Sequence, residues 1–368
     1  MLPGVVPGRR PPDGASNLER RLRVTAARKL VQVNGLKSSR VILVAVLAVL
    51  IGGIACVRAQ QVTAPQLVII DTDIGDDIDD AYAVALALKS PELKILGVTT
   101  TFGDTLMRAR LLDRYLKAVG RSDIPVNAGP SLLTDTHKNH IWQKRKMPPG
   151  MTQAEYALHS PARKFGDGAD FILREAREHP GQITLIGIGP LFTVQAAIER
   201  DPVAFRKLRR VVIMGGSVER GYGVNAQGKP NPPQPEWNIL CNPAGARALL
   251  ASGVEVFMMP LDSTQVPLDV KNREILFAHR SPLIDQLTLL YREWVQGTPN
   301  HNPTPTLFDP VAVTYTFWPE LCPTIPMHID VSDEGLTSRG SGAPNAQVCL
   351  HSDEKIFLDL LVSRLAGR

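Results

Sequence analysis

Six carboxylates fall within ten residues in the run Asp71-Thr72-Asp73-Ile74-Gly75-Asp76-Asp77-Ile78-Asp79-Asp80. Like charges this close raise each other's pKa or repel, unless a hard dication or a helix amino terminus compensates. An all-oxygen donor set favours Ca²⁺ or Mg²⁺ over zinc. Capping at a helix start accounts for one or two acids but not for six. The chemistry suggested first is therefore cation binding, with a carboxylate at hand to take a proton from water.

The run follows a short apolar stretch and opens a helical one, and that alternation continues along the chain. Strands are expected at 67–71, 93–101, 124–127, 183–188, 210–214 and 254–258, and amphipathic helices at 79–89, 106–119, 169–179, 192–199 and 243–252. This is the pattern of an α/β fold: an open, mainly parallel central sheet with helices on both faces. Two stretches break the rhythm, 130–167 and 221–236, and both are expected to be functional loops. In an open α/β sheet the ligand crevice lies beyond the carboxyl ends of the strands, which is where the aspartate run sits.

Composition limits the classes. With 368 residues, 44% hydrophobic and 21% charged, the chain is neither disordered nor wholly membrane-embedded. Its formal charge of +5 is lopsided: ten basic residues against two acids up to Arg58 leave the remainder at −3. A mildly acidic body offers no footprint for a phosphate backbone, so nucleic acid is not an expected partner. Residues 1–40 form a basic, Pro- and Gly-rich region expected to be disordered, and 41–59 form a signal peptide or membrane anchor. Seventeen uncharged residues, 41–57, follow the basic flank, and Val57 and Ala59 suit signal-peptidase cleavage before Gln60. Membrane contact is expected only through this segment. In either case the body, 60–368, is exported as a single catalytic domain. Cys56, Cys241, Cys322 and Cys349 show no zinc spacing. Export permits a Cys322–Cys349 bridge, with buried free thiols as the other reading.

Asp71-Thr72-Asp73-Ile74-Gly75 followed by Asp79-Asp80-Ala81 resembles the amino-terminal signature of the nucleoside hydrolases of the inosine-uridine-preferring type, with two extra residues, Asp76 and Asp77, before the final pair. The likeness continues through Gly97-Val98-Thr99-Thr100, Ile124 to Gly129, Ile188-Gly189-Pro190-Leu191, Met214-Gly215-Gly216, Glu236-Trp237-Asn238 and Phe308-Asp309. It implies a Rossmann-like topology and Ca²⁺-dependent hydrolysis of nucleosides to base and ribose. It further implies Ca²⁺ held by Asp73, Asp80, Asp309 and the carbonyl of Ile188, with Asp73 as general base. Asp79, Glu236 and Asn238 would hold the ribose. Met214, Trp237 and Asn225 would adjoin the substrate, and a homo-oligomer is suggested.

Two departures matter. Many members place His immediately before the last metal Asp, where this chain has Phe308, so His301, His137 or His140 must protonate the departing base, or stacking on Trp237, Phe308 or Tyr222 must hold it. Asp104 stands where the family commonly has a sugar-binding Asn, and it either contacts the sugar or caps its loop. Two rival readings remain. Asp71-Thr72-Asp73 after a strand also resembles the haloacid dehalogenase-like Mg²⁺ phosphatases, and an exported nucleoside or sugar receptor would need the sugar grip without the base.

Overall fold

The computed structural model describes residues 64–131, 151–160, 163–298 and 301–367. The expected leader and anchor, Cys56, His137 and His140 lie outside the described residues. Residues Thr63–Arg368 form one unit.

Eleven strands are described: β1 (Gln66–Thr72), β2 (Leu93–Thr100), β3 (Val126–Ala128), β4 (Gly166–Asp167), β5 (Ile183–Gly187), β6 (Arg210–Met214), β7 (Val256–Met259), β8 (Thr324–Met327), β9 (Ile329–Val331), β10 (Thr337–Arg339) and β11 (Ala346–Cys349). Nine of them make one sheet in the order β4-β3-β2-β1-β5-β6-β7-β11-β8, while β9 and β10 form a separate pair. All neighbours in the nine-stranded sheet are parallel except β11 and β8. The helices that matter for the site are α1 (Asp79–Leu88), α2 (Thr105–Ala118), α3 (Gly168–Glu178), α4 (Phe192–Arg200), α5 (Trp237–Cys241), α6 (Pro243–Leu250), α7 (Pro282–Gly297), α8 (Asp309–Phe317) and α9 (Glu354–Ala366).

The continuous apolar run of β1 follows from its central position. Successive side chains alternate between faces, so Val68 and Ile70 enter one core while Ile69 enters the other. Helices α1, α2, α7, α8 and α9 cover the first face, and α3, α4 and α6 the second. Helices α1 and α8 pack against each other and are apolar on almost every side, as befits helices with no face to solvent.

Strand order reverses between β1 and β5. From β1 the chain winds outward through β2, β3 and β4, then returns to β5 and winds the other way. Such a switch point opens a crevice beyond the strand ends. The aspartate loop after β1 and Ile188 after β5 flank it.

The six expected strands and five expected helices are all present, with shifts of a few residues at their ends. The expectation ended at β7, however, and the carboxyl-terminal edge was not foreseen. Strand β8 contains Pro326, which an edge strand tolerates, and β9 and β10 have three residues each, too few to show alternation. A disulfide joins Cys322 to Cys349 at this edge, resolving the cysteine alternatives in favour of the bridge, and Cys241 is buried. Among the described residues no helix is long and apolar enough to cross a membrane.

The bridge closes a separation of 27 residues. By loop-closure entropy, its removal is expected to cost roughly 2–4 kcal/mol. Urea melts of the Cys322→Ser/Cys349→Ser variant against the parent check this, and equal midpoints and slopes would refute it.

Candidate active site

A cavity of about 620 Å³ opens at the switch point. Asp73, Asp76, Asp77, Asp79 and Asp80 reach it from the β1–α1 loop and the start of α1. Ile188 comes from the loop after β5, Met214 from the end of β6, Glu236, Trp237 and Asn238 from the start of α5, and Phe308 and Asp309 from the start of α8.

Asp79 organises the centre. Its Oδ2 accepts the backbone N–H groups of Phe308 and Asp309, each at 3.1 Å. Helix α8 has no side-chain cap of its own, so a carboxylate some 230 residues away satisfies donors that would otherwise be orphaned. This draws α8 against α1. One oxygen each of Asp79, Asp80 and Asp309 then lies within 4.8 Å of the others. Asp80 also accepts the Thr72 hydroxyl, which in turn accepts the N–H of Ile74 at 3.1 Å.

The expected ligand set was Asp73, Asp80 and Asp309, with Asp79 on the ribose. Asp73, Asp80 and Asp309 line one cavity with Asp79, whose bond to the head of α8 places an oxygen beside those of Asp80 and Asp309. Asp73 lines the same cavity and adds its repulsion to Asp79, Asp80 and Asp309. It sits hard against the β5 loop: a Cβ added to Gly189 would meet Asp73 Oδ1 at 2.6 Å, so only glycine admits this approach.

The counterweight is Arg108, fully buried on α2. Its Nε donates to the carbonyl of Phe102 at 2.8 Å, and Nη1 donates to the carbonyls of Asp73 and Ile74, the latter at 3.0 Å. One guanidinium thus ties the β1–α1 loop to the β2–α2 loop, where Phe102 is held at φ 64. Sequence reasoning missed it, because nothing distinguishes it from Arg110 and Arg114 on the same helix. Thr152, Trp294, Gly297 and Thr298 of the cavity wall were missed too. A tryptophan at helical spacing on α7 looks like core.

Glu236 is buried as the cap of α5. Its oxygens accept the N–H groups of Asn238 at 2.9 Å, Gly216 at 2.8 Å and Ile239 at 3.2 Å. Asn238 donates its amide to the Met214 carbonyl at 3.1 Å. The preceding loop is pinned by Asp262, which accepts the N–H groups of Val218, Glu219 and Arg220.

Three expected substrate contacts do not line the cavity. Asp104 is the cap of α2, accepting the Met107 N–H at 3.0 Å, which is one of its two expected roles. Asn225 is exposed, and its Oδ1 accepts the N–H groups of Gln227 and Lys229, closing a turn. His301 is exposed, with Nδ1 3.2 Å from the Val295 carbonyl. Phe308 does line the cavity, edge-to-face with Tyr222 at 6.0 Å.

Burial chiefly, and then mutual repulsion, holds the carboxyls of Asp79, Asp80 and Asp309 well above the ordinary range. Burial pushes Asp73 up to about 7 against the pull of Arg108, and Glu236 up to about 7 against its three N–H donors. Asp77 opens onto the cavity from an exposed position on the β1–α1 loop. So many oxygens with so little positive charge fit a hard dication. Asp73, Asp80 and Asp309, with Asp79 beside them, are the residues that would hold it.

An open parallel sheet with an acid-lined, aromatic-walled crevice at its switch point defines an α/β enzyme suited to stabilising positive charge on a small polar substrate. The model of the inosine-uridine preferring nucleoside hydrolase family matches residues 68–359. The chain is 34% identical over 210 residues to an uncharacterized protein of Schizosaccharomyces pombe, covering 54% of this chain and 61% of that one, which is less than two thirds of its length. It is 28% identical over 315 residues to the pyrimidine-specific ribonucleoside hydrolase RihA of Citrobacter koseri, covering 81% of this chain and 97% of the relative. The solved plant nucleoside hydrolase PpNRh1 matches with a TM-score of 0.67 and 25% identity, over 83% of this chain and 100% of the other. The chain belongs to the inosine-uridine preferring nucleoside hydrolase family, and is by that membership a nucleoside N-ribohydrolase.

The phosphatase and receptor readings find no support. Asp71, the residue a phosphatase would use as nucleophile, is buried within β1, accepts the Thr99 hydroxyl at 2.6 Å and does not line the cavity.

The raised carboxyl pKa values have a stability consequence. A carboxyl that holds its proton more tightly folded than unfolded loses stability as pH rises from about 4 through its folded pKa. The cation-free protein is therefore expected to melt higher at pH 5 than at pH 8. Ca²⁺ at a hundredfold excess over its Kd is expected to restore about 5 °C at pH 8 and less at pH 5. Scanning calorimetry at both pH values checks this. A Ca²⁺ shift below about 1 °C at pH 8 would count against a cation between these acids.

Proposed function

We propose that the chain hydrolyses the N-glycosidic bond of ribonucleosides to free base and ribose, that the dication it uses is Ca²⁺, and that it works outside the reducing cytosol. The observation that carries this reading is the convergence of Asp79 and Asp80 with Asp309 from the far end of the chain. When bound, Ca²⁺ supplies Lewis-acid lowering of a water's pKa and a seat for the ribose diol. Asp73, Asp80, Asp309 and the Ile188 carbonyl would hold it, with Asp79 beside them toward the ribose.

The chain's own residues do the rest. Asp73, poised near neutrality by burial, accepts the proton of the water that attacks the anomeric carbon. Glu236, oriented by three backbone N–H groups, and Asn238, fixed on Met214, grip the sugar hydroxyls. As the bond to the base breaks, the sugar acquires oxocarbenium character, which the surrounding carboxylates stabilise. The same carboxylates disfavour a phosphate, so nucleosides rather than nucleotides are the substrates. Export rests on the basic and apolar leader pattern at 1–59 and on the Cys322–Cys349 bridge, which an oxidising compartment favours.

Reducing-sugar release from a nucleoside panel, with and without a chelator restored by Ca²⁺, tests reaction and metal together. Asp73→Asn is expected to lower kcat at least about 100-fold while the fold persists by circular dichroism. A near-normal rate would remove Asp73 from the base role.

A further inference from the structure

The metal, base and sugar roles use five of the seven carboxylates that line the cavity, leaving Asp76 and Asp77. These two stand on a wall with Thr152, Trp294, Gly297 and Thr298. The wall is built rather than loose. Thr152 Oγ1 donates to the Asp76 carbonyl at 2.5 Å and Gln153 Nε2 donates to the Asp77 carbonyl at 3.1 Å, while Trp294 lines the same space. Tyr222 and Phe308 supply further aromatic surface to the same space. Among the described residues no basic side chain lines it.

Carboxylates beside aromatic faces are a receptor for positive charge. The Tyr222 hydroxyl accepts the Trp237 N–H at 3.0 Å. A neutral leaving base needs a proton at its ring nitrogen as it departs. A cationic base needs none. Water's oxygen bonds to the anomeric carbon, the carbon–nitrogen bond breaks, and its electron pair returns to the ring nitrogen, cancelling the positive charge. The base leaves neutral, one water proton goes to Asp73 and then to solvent, and the other stays on the new sugar hydroxyl.

We propose that this site prefers ribosides of positively charged bases, of the N-ribosylpyridinium class, over those of neutral bases, and that Asp77 is the residue that selects the charge. The proposal rests on the N-ribohydrolase reading above.

The test compares initial rates of the Ca²⁺-loaded chain on nicotinamide riboside, a pyridinium riboside, and on uridine, for the parent and Asp77→Asn. Inhibition by the 1-methylnicotinamide cation against neutral nicotinamide gives a second readout, independent of how labile each glycosidic bond is. The parent is expected to favour the pyridinium riboside at least tenfold in kcat/KM and the cationic inhibitor at least tenfold in Ki. Asp77→Asn is expected to shrink both ratios about tenfold. Unchanged ratios overturn the proposal. So does a larger loss on uridine than on the pyridinium riboside, because Asp77 would then be donating a proton to a neutral base. Turnover of uridine without discrimination by charge overturns this proposal alone, whereas sugar release from neither substrate overturns the reaction assigned above as well.

Discussion

Like charges at close range set the terms for this structure. Asp79, Asp80 and Asp309 are buried within 4.8 Å of one another, with Asp73 and Glu236 in the same cavity. Left alone, such a cluster is a liability, because each group is denied water and faces its neighbours' charge. Three local devices make it tolerable. The N–H groups at the head of α8 bind Asp79, those at the head of α5 bind Glu236, and the Arg108 guanidinium lies beside Asp73. None cancels the whole charge, and the remainder is what a dication would neutralise. The centre is thus held in readiness by its own unfavourable energy.

The fold supplies these devices through its topology. Reversal of strand order between β1 and β5 leaves a gap that no crossover helix fills, and the loops beyond both strands turn into it. Helices α1 and α8, buried between sheet and solvent-facing helices, bring their amino ends to the same place. Gly189 allows the β5 loop to touch Asp73, and Arg108 locks the β1 and β2 loops together. Rigid elements fix the acids, while the longer loop before Glu236 is anchored by Asp262.

How much of this was legible beforehand depended on whether a residue's signal was local. The aspartate run, the central strands and their helices announced themselves through composition and period, and Asp309, Glu236 and Asn238 through resemblance. The contribution of Asp79 to the triad was hidden because it depends on a hydrogen bond across some 230 residues. Arg108 and Trp294 were hidden because burial of an arginine or the cavity-facing side of a tryptophan leaves no mark on spacing. Asp104 and Asn225 are polar loop residues near a motif, and the backbone uses both, Asp104 as the cap of α2 and Asn225 in closing a turn. The carboxyl-terminal edge escaped because a short strand with a proline carries too few residues to display its face.

The bond from Asp79 to the start of α8 also bears on how the molecule comes into being. A polypeptide emerging from its amino end completes the aspartate run long before Asp309 exists, and until then the acids have neither their third member nor a helix head to bind. No working centre can form on a partial chain. The long separation between these partners makes assembly of the centre a late, non-local event in folding.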